Sequence, residues 1–282
     1  MTHKELMNHA TALLEDAKIY TGFSRVLMLE MMQERDMDMF LLMDENVDGA
    51  FKEAYLSNVE KLCQDIPLGY VLGYEWFYGY KLKVSDAVLI PRGETEELVG
   101  HVLEDIDAYF DKPVVADIAC GSGAIGLALS LELDLPVVST DISFEALEIA
   151  KENNQQLGAQ LEILQGDMLE PVLDRKFDVL VCNPPYIKNT EHIQSAVLSN
   201  EPHVALFGGE DGLYFYKKVF EKAHIVMNDR SMMAFEIGFD IGQAVCELAQ
   251  TFFPTSKIEL KQDINGLDRM VFIYFGDLMS FF

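Results

Sequence analysis

Alternation of strand and helix patterns after residue 111 constrains the fold of this chain more than any other feature of its sequence. Short runs of apolar and β-branched residues predict strands, and helical patterns separate the earlier ones. The predicted strands cover residues 114–119, 137–140, 161–164, 177–182, 232–237, 258–260 and 271–274. This alternation indicates an α/β fold with a mostly parallel sheet, because parallel strands need crossover connections. Only a turn at Asn265-Gly266 separates the last two strands, so we expect an antiparallel C-terminal hairpin.

The N-terminal part of the chain carries helical patterns instead. Thr2 and Glu5 have the spacing of a capping box, and apolar residues then recur at helical intervals. Ser24 is a candidate cap for a second helix. At 282 residues, half of them hydrophobic, the chain is large enough for two unequal domains. We predict a small N-terminal helical domain over residues 1–68.

The pattern changes between the helical segment and the α/β segment. Residues 69–92 contain aromatic and β-branched residues around Gly73 and Gly79, which is typical of a β-hairpin. We predict that this hairpin links the helical domain to an α/β domain over residues 93–282.

Charge and cysteine content exclude several classes of protein. The net charge of −26 argues against a broad nucleic-acid-binding surface, because affinity for phosphate backbones comes from Lys and Arg. The cysteines lack the paired spacing of a disulfide framework or a zinc site, so we predict a reducing compartment and no metal. No signal peptide follows Met1, and no stretch reaches the roughly 18 apolar residues of a membrane span. We expect a soluble, cytoplasmic protein.

A glycine loop, Gly121-Ser122-Gly123 with Gly126, follows the first predicted strand and opens a helix. Its glycines allow backbone N–H groups to approach a ligand closely. Asp141, at the end of the second strand, has the position of an acid that accepts hydrogen bonds from a ribose diol, although an acid there also serves as a helix cap. The loop alone fits a nicotinamide dinucleotide or S-adenosylmethionine. Asp117 favours the latter, because a carboxylate repels a pyrophosphate and attracts an ammonium group.

The tetrapeptide Asn183-Pro184-Pro185-Tyr186 directly follows the apolar run 177–182. Two prolines cannot continue a strand ladder, and they restrict the residue before them, so Asn183 is held stiffly. The Asn183 side-chain oxygen, the Pro184 carbonyl and the Tyr186 ring provide two acceptors and a stacking face. This set suits a planar group that carries an NH2, either an amide or the exocyclic amine of a nucleobase. The alternative is a turn that simply ends a strand.

Together these motifs resemble the class I S-adenosylmethionine-dependent methyltransferases that modify planar nitrogen. More specifically, the chain resembles the protein-glutamine methyltransferases of peptide chain release factors, the HemK or PrmC family. The resemblance extends over nearly the whole chain and includes residues 88–96, 183–187, 201–213 and 266–269 with the glycine loop. It implies a Rossmann-like methyltransferase domain and methylation of the Gln in the Gly-Gly-Gln motif of release factors, which act in translation termination. It also implies that residues 1–68 help to hold the release factor.

The resemblance carries roles over to individual residues. It implies that Asn183, Pro184 and Tyr186 are catalytic, and that these three bind the substrate together with Pro185, Arg92 and Glu94. The residues expected to bind S-adenosylmethionine are Asp117, Ala119, Cys120, Gly121, Ser122, Gly123, Asp141, Ile142, Asp167, Met168 and Asn183. Two positions depart from the family pattern. Gly93 replaces a second proline, and Ala119 replaces the first glycine of the loop, where we expect its methyl group to tolerate only negative φ.

Other functions fit parts of the pattern. An adenine-amine methyltransferase acting on DNA or RNA would use the same acceptors on a flipped base, but the acidic charge and the Ile90-Pro91-Arg92 segment weigh against it. A ribosomal-protein glutamine methyltransferase would share the catalytic domain; the N-terminal helical domain favours release factors. A nicotinamide-dependent oxidoreductase would leave residues 183–186 without a role. A non-catalytic adaptor would be expected to have lost some of these groups.

Overall fold

The computed structural model describes residues 1–189 and 199–281. These residues form two compact units. The first contains Met1–Tyr74 and residues 199–200. The side chain of Asn200 donates to the Asp65 carbonyl at 3.0 Å. The second contains residues 75–189 and 201–281. Across the described residues, no helix combines the length and the apolar composition that crossing a membrane requires.

The first unit is helical. Its helices are α1 (His3–Asp16), α2 (Phe23–Gln33), α3 (Met39–Leu42), α4 (Gly49–Cys63) and α5 (Leu68–Leu72). The predicted capping box is confirmed, because the Thr2 hydroxyl accepts from the Glu5 N–H at 3.2 Å and Glu5 Oε2 accepts from the Thr2 N–H at 2.9 Å. The prediction that Ser24 caps α2 is wrong. Ser24 lies inside α2, where its buried hydroxyl donates to the Thr21 carbonyl at 2.8 Å.

A hairpin follows this unit along the chain. Its strands are β1 (Tyr74–Phe77) and β2 (Tyr80–Lys83), and the turn residues Tyr78 and Gly79 have φ values of 51° and 80°. Two positive φ values are typical of the tight turns that join antiparallel strands. The strand pair begins later than the sequence predicts, because residues Leu68–Leu72 are helical and end at Gly73, which has a φ of 81°.

The second unit is an α/β structure. Its helices are α6 (Gly93–Tyr109), α7 (Ala124–Leu133), α8 (Phe144–Leu157), α9 (Tyr214–Val226) and α10 (Gly242–Phe252). Its strands are β3 (Val115–Ile118), β4 (Val137–Asp141), β5 (Leu161–Gln165), β6 (Phe177–Cys182), β7 (Met227–Glu236), β8 (Lys257–Gln262) and β9 (Asp268–Tyr274). They form one seven-stranded sheet in the order β5-β4-β3-β6-β7-β9-β8. Strands β3 to β7 are parallel, and β9 is antiparallel to β7 and β8.

The predicted fold class is therefore confirmed, with its antiparallel C-terminal hairpin. Strand β7 begins at Met227, earlier than predicted. The sequence predicts a later start because the polar residues Asn228, Asp229 and Arg230 interrupt the apolar pattern there. The pairing of β7 with β6 also shifts register in this region, between Phe177 and Val179.

Side chains of the central strands alternate between two apolar cores, one on each face of the sheet. Leu180 and Cys182 of β6 belong to one core, and Val179 and Val181 belong to the other. This alternation is expected for a sheet that helices cover on both faces. Because both faces of the sheet are covered by apolar cores, polar side chains lie at its carboxyl edge.

The order of strands brings two loops together at this edge. Strand β3 pairs with β4 on one side and with β6 on the other, and Ile118 lies opposite Cys182. The glycine loop after β3 and the tetrapeptide after β6 therefore leave the sheet side by side. A reversal of strand order of this kind opens a crevice in which α/β proteins bind ligands.

Ala119, the first residue after β3, has a φ of 61°. The expectation that it would adopt negative φ is wrong. The left-handed region is unfavourable for a residue with a Cβ, so this position stores backbone strain.

We expect Ala119→Gly to raise the free energy of unfolding by about 0.5 kcal/mol, because relief of the strain exceeds the extra freedom of glycine in the unfolded chain. Urea unfolding at an unchanged m-value measures this. The matched control is Ala116→Gly, a buried position inside β3, which should lower the free energy of unfolding by about 1 kcal/mol. Equal losses for both variants would contradict the prediction.

Candidate active site

A cavity of about 320 Å³ lies at the carboxyl edge of the sheet in the second unit. Its wall is formed by the glycine loop, the ends of β4 and β5, the tetrapeptide and the first turns of α6 and α9. The lining residues fall within the ranges 87–95, 119–125, 141–146, 167–168, 183–185, 202–205 and 214–218. The volume falls in the usual range for small-molecule pockets.

Most of the predicted loop residues line this cavity, namely Ala119, Cys120, Gly121 and Ser122. Two of their amides are engaged within the protein: Cys120 N–H donates to the Thr140 carbonyl at 2.9 Å, and Gly121 N–H donates to Asp141 Oδ2 at 2.8 Å. Gly123 is not part of the wall. It precedes α7 with a φ of 83°, and its N–H donates to the Cys120 carbonyl at 2.8 Å.

Asp117 does not line the cavity. It is fully buried beneath the loop, where its Oδ2 accepts from the Gly126 N–H at 2.9 Å. Its Oδ1 has no hydrogen-bond partner among the described residues, and burial raises the pKa of this carboxyl to about 7. Gly126 has a packing role, because a Cβ there would lie 2.7 Å from Ser139 Oγ.

Asp141 lines the cavity in a fixed orientation. Its Oδ1 accepts from the Ser143 N–H at 2.9 Å and its Oδ2 from the Gly121 N–H. Each oxygen keeps a lone pair, so the carboxylate can still accept from a ligand. Burial raises the pKa of Asp141. The neighbouring Ile142 also lines the cavity and is 53% exposed, so its side chain is available for an apolar contact.

Asp167 and Met168, which follow the neighbouring strand β5, also line the cavity. Asp167 forms an ion pair with Lys218 of α9, which also lines the cavity. The sequence analysis missed Lys218, because a lysine on an amphipathic helix is usually a solvated residue. Its ammonium balances the charge of Asp167, one of the two aspartates in the wall.

The tetrapeptide is divided between the cavity and the protein interior. Asn183 and Pro185 line the cavity, whereas Pro184 and Tyr186 are not among the lining residues. The Tyr186 ring packs against the core, and its hydroxyl donates to Glu236 Oε1 at 3.4 Å. Burial raises the pKa of this hydroxyl. The structure therefore brings Asn183 to the cavity and turns the polar end of Tyr186 away from solvent.

Arg92 and Glu94 differ in their placement. Arg92 lines the cavity and forms an ion pair with Glu201, a buried residue far along the chain. This pair holds the segment before α6 against the segment that contains Pro202. Glu94 lies in the first turn of α6 and is not among the lining residues. A role for Glu94 in binding substrate stays a prediction.

Two further polar residues lie next to Asn183: Thr95, which also lines the cavity, and Glu236, which does not. Asn183 Nδ2 donates to Thr95 Oγ1 at 3.3 Å, and Thr95 Oγ1 donates to Glu236 Oε2 at 2.5 Å. Glu236 is fully buried, and burial raises its pKa to about 7. The sequence analysis missed both residues. One signal was available, because Glu236 is a single acid inside the otherwise apolar run 232–237.

Comparison with known proteins agrees with this geometry. A family model described as "Methyltransferase small domain" matches residues 95–205. Among solved structures, a methyltransferase from Pyrococcus furiosus has a TM-score of 0.53 at 16% identity and covers 81% of this chain and 98% of that chain. The hMettl16 catalytic domain, solved with the MAT2A 3'UTR hairpin 6, has a TM-score of 0.55 at 15% identity. The match covers 82% of this chain and 84% of that chain. These likenesses support the class I methyltransferase fold.

Sequence relatives are closer. The chain is 38% identical to the release factor glutamine methyltransferase of Bacillus cereus, over 95% of this chain and 97% of that protein. It is 43% identical to the Bacillus subtilis release factor glutamine methyltransferase, over 76% of this chain and 77% of that protein. It is 33% identical to the Staphylococcus aureus release factor glutamine methyltransferase, over 96% of this chain and 98% of that protein. With this identity over nearly its whole length, the chain belongs to the release factor glutamine methyltransferase family.

Proposed function

We propose that this protein transfers a methyl group from S-adenosylmethionine to the side-chain amide nitrogen of the glutamine in the Gly-Gly-Gln motif of peptide chain release factors. The observation that carries the proposal is the orientation of Asn183. Its Nδ2 is turned toward Thr95, so its Oδ1 is available as an acceptor at the cavity. The names of the relatives support release factors as the substrate.

The residues of the cavity fit S-adenosylmethionine better than a dinucleotide. Asp141 accepts the Gly121 N–H at the cavity wall, and the buried Asp117 accepts the N–H of Gly126 in α7. A pyrophosphate would be repelled by the Asp141 carboxylate, whereas a cationic ligand is favoured. We assign the ribose to Asp141 and the adenine to the side of the cavity formed by Ile142, Asp167 and Met168. When bound, the cofactor supplies an electrophilic sulfonium methyl group.

The chain's own contribution is to hold a weakly nucleophilic amide in one orientation. The nitrogen of a glutamine amide is a poor nucleophile because its lone pair is delocalised into the carbonyl. If Asn183 Oδ1 and the Pro184 carbonyl each accept one N–H of this nitrogen, its π face is fixed toward the methyl donor. Positive charge that builds on the nitrogen in the transition state strengthens both hydrogen bonds, so they contribute more there than in the ground state.

The remaining parts of the chain are assigned to substrate binding. We place Arg92 and Pro185 at the wall that receives the glutamine, with Glu94 nearby in the first turn of α6 and Tyr186 excluding water. The N-terminal helical domain, residues 1–68, is assigned to holding the release factor. A protein substrate also agrees with the net charge of −26, which opposes binding of a phosphate backbone.

The decisive experiment is methyl transfer from labelled S-adenosylmethionine to purified release factor. A release factor variant that lacks the Gln of the Gly-Gly-Gln motif is the control. Label on the unaltered release factor alone supports the proposal. Label on both proteins or on neither rejects it, and label on added DNA or RNA would favour an adenine-amine methyltransferase.

We expect Asn183→Ala to lower turnover by at least about 100-fold, because it removes an acceptor that acts in the transition state. Affinity for S-adenosylmethionine, measured by calorimetry, should change little. The matched control is Asn228→Ala at the start of β7, where the side chain donates to Asp178 at 2.7 Å. Equal turnover for Asn183→Ala and unaltered protein would reject the mechanism.

We expect Asp141→Asn to weaken binding of S-adenosylmethionine about tenfold, because it removes a charge and one acceptor from the proposed ribose contact. Calorimetric titration measures the dissociation constant. The control is Asp111→Asn, since Asp111 is exposed and lies outside the cavity. Unchanged affinity for Asp141→Asn, or binding of NADH in place of S-adenosylmethionine, would speak against the assigned cofactor.

A further inference from the structure

We infer that Glu236 and Thr95 are positioning residues, which orient the side-chain amide of Asn183 so that its oxygen faces the substrate. This inference rests on the proposed function. It concerns groups on β7 and α6 that the mechanism above does not use, and it follows from the direction of the hydrogen bonds behind the tetrapeptide.

The sheet sets Asn183 and Glu236 side by side. Strands β6 and β7 are parallel neighbours, and Cys182 lies opposite Phe235. The next residue on each strand is Asn183 on one and Glu236 on the other, so both emerge at the same level of the carboxyl edge. The Glu236 backbone is fixed there as well, because its carbonyl accepts from the Tyr216 hydroxyl at 2.7 Å.

The hydrogen bonds between these residues have one direction. An ionised carboxylate only accepts, so the single hydroxyl proton of Thr95 is committed to Glu236 Oε2, at 2.5 Å. The Thr95 oxygen is then left to accept, and it accepts from Asn183 Nδ2 at 3.3 Å. The two ends of the Asn183 amide thereby become distinguishable. Nδ2 is held by Thr95, and Oδ1 is left for a donor in the cavity.

The same carboxylate also reaches the other end of the tetrapeptide. Its Oε1 accepts from the Tyr186 hydroxyl at 3.4 Å. Glu236 thus holds Tyr186 directly and Asn183 through Thr95, while the two prolines between them stiffen the backbone. Burial of a carboxylate is costly unless its oxygens are hydrogen-bonded, so its retention beside this segment agrees with a role in orientation.

Replacement of the Glu236 carboxylate by an amide of the same size removes the fixed direction of the hydrogen bonds through Thr95 to Asn183. In Glu236→Gln, the new Nε2 can donate to Thr95, and the Thr95 proton is then free to turn toward Asn183. The Asn183 amide can rotate by half a turn and present Nδ2 to the cavity, where it opposes the N–H groups of the substrate. Turnover should fall, whereas cofactor binding should not, because Glu236 does not line the cavity.

Protonation of Glu236 has the same consequence as the amide. Burial raises the pKa of this carboxyl to about 7, and only the ionised form commits the Thr95 proton. The titratable groups that face it are Glu94 from α6, Tyr186 from the segment after β6, Tyr216 from α9 and Arg269 from β9. Because the ionised form is the active one, turnover should be full above this pKa and should be lost as the pH falls through about 7.

Steady-state methylation of release factor tests the inference with three variants. Glu236→Gln and Thr95→Val should each lower kcat by about 10- to 100-fold, with KM for the release factor and Kd for S-adenosylmethionine changed less than about threefold. Thr95→Ser keeps the hydroxyl and should retain most of kcat. Asp105→Asn is the matched control, because Asp105 is another buried carboxyl that accepts from a tyrosine, Tyr274, at 2.7 Å, and it should keep the original kcat.

Two further measurements separate orientation from a loss of stability. The double variant Thr95→Val/Glu236→Gln should be no slower than the slower single variant, because both substitutions break the same chain of hydrogen bonds. The decline of kcat below about pH 7 should disappear in Glu236→Gln. Asp117, whose pKa is also about 7, is unchanged in this variant, so the difference between the two profiles belongs to Glu236.

Several outcomes would overturn the inference. These are an unchanged kcat for Glu236→Gln, a Thr95→Ser variant as slow as Thr95→Val, or additive losses in the double variant. If Glu236→Gln fails to fold, as judged by lost S-adenosylmethionine binding, the comparison of Thr95→Val with Thr95→Ser decides alone. If the unaltered protein does not methylate release factor, the proposed function fails instead, and the two failures are distinguishable.

Discussion

The parallel pairing of β3 with β6 is the constraint on which the site depends. Ile118 lies opposite Cys182, so the chain leaves both strands at one level of the sheet. The connections run in opposite directions from there, because β4 lies beyond β3 and β7 lies beyond β6. A ligand bound by the glycine loop and a group held by the tetrapeptide must then meet in the same crevice.

Acidic groups give this crevice its electrostatic character. Asp141 in the wall accepts the Gly121 N–H of the loop, and Asp117 beneath the loop accepts the Gly126 N–H in the first turn of α7. The same N–H groups would bind phosphate in a dinucleotide-binding protein. The same glycine spacing is therefore compatible with an anionic or a cationic ligand. Which of the two binds depends on whether acidic side chains accept the loop amides. The sequence motif alone does not contain this information.

Most of the sheet could be predicted, because short apolar and β-branched runs alternate along the chain with helical patterns. The start of β7 could not be predicted, because the polar sequence of residues 228–230 is typical of a loop. The placement of Asp117 and the positive φ of Ala119 depend on how the loop folds back on α7, which no local pattern reports. Glu236 was visible as an acid in a strand, but its partner Thr95 becomes a neighbour only in three dimensions.

The hydrogen bond between Thr95 and Glu236 joins residues 141 positions apart in the chain. The glycine loop, β4 and β5 lie between them in sequence and can pair before β7 exists. During synthesis, the residues that we assign to the methyl donor are therefore made before Glu236, which we assign to orienting the acceptor. An interrupted chain that ends before β7 would contain the first set without Glu236. Under the proposed function, efficient methyl transfer would then require the complete sheet.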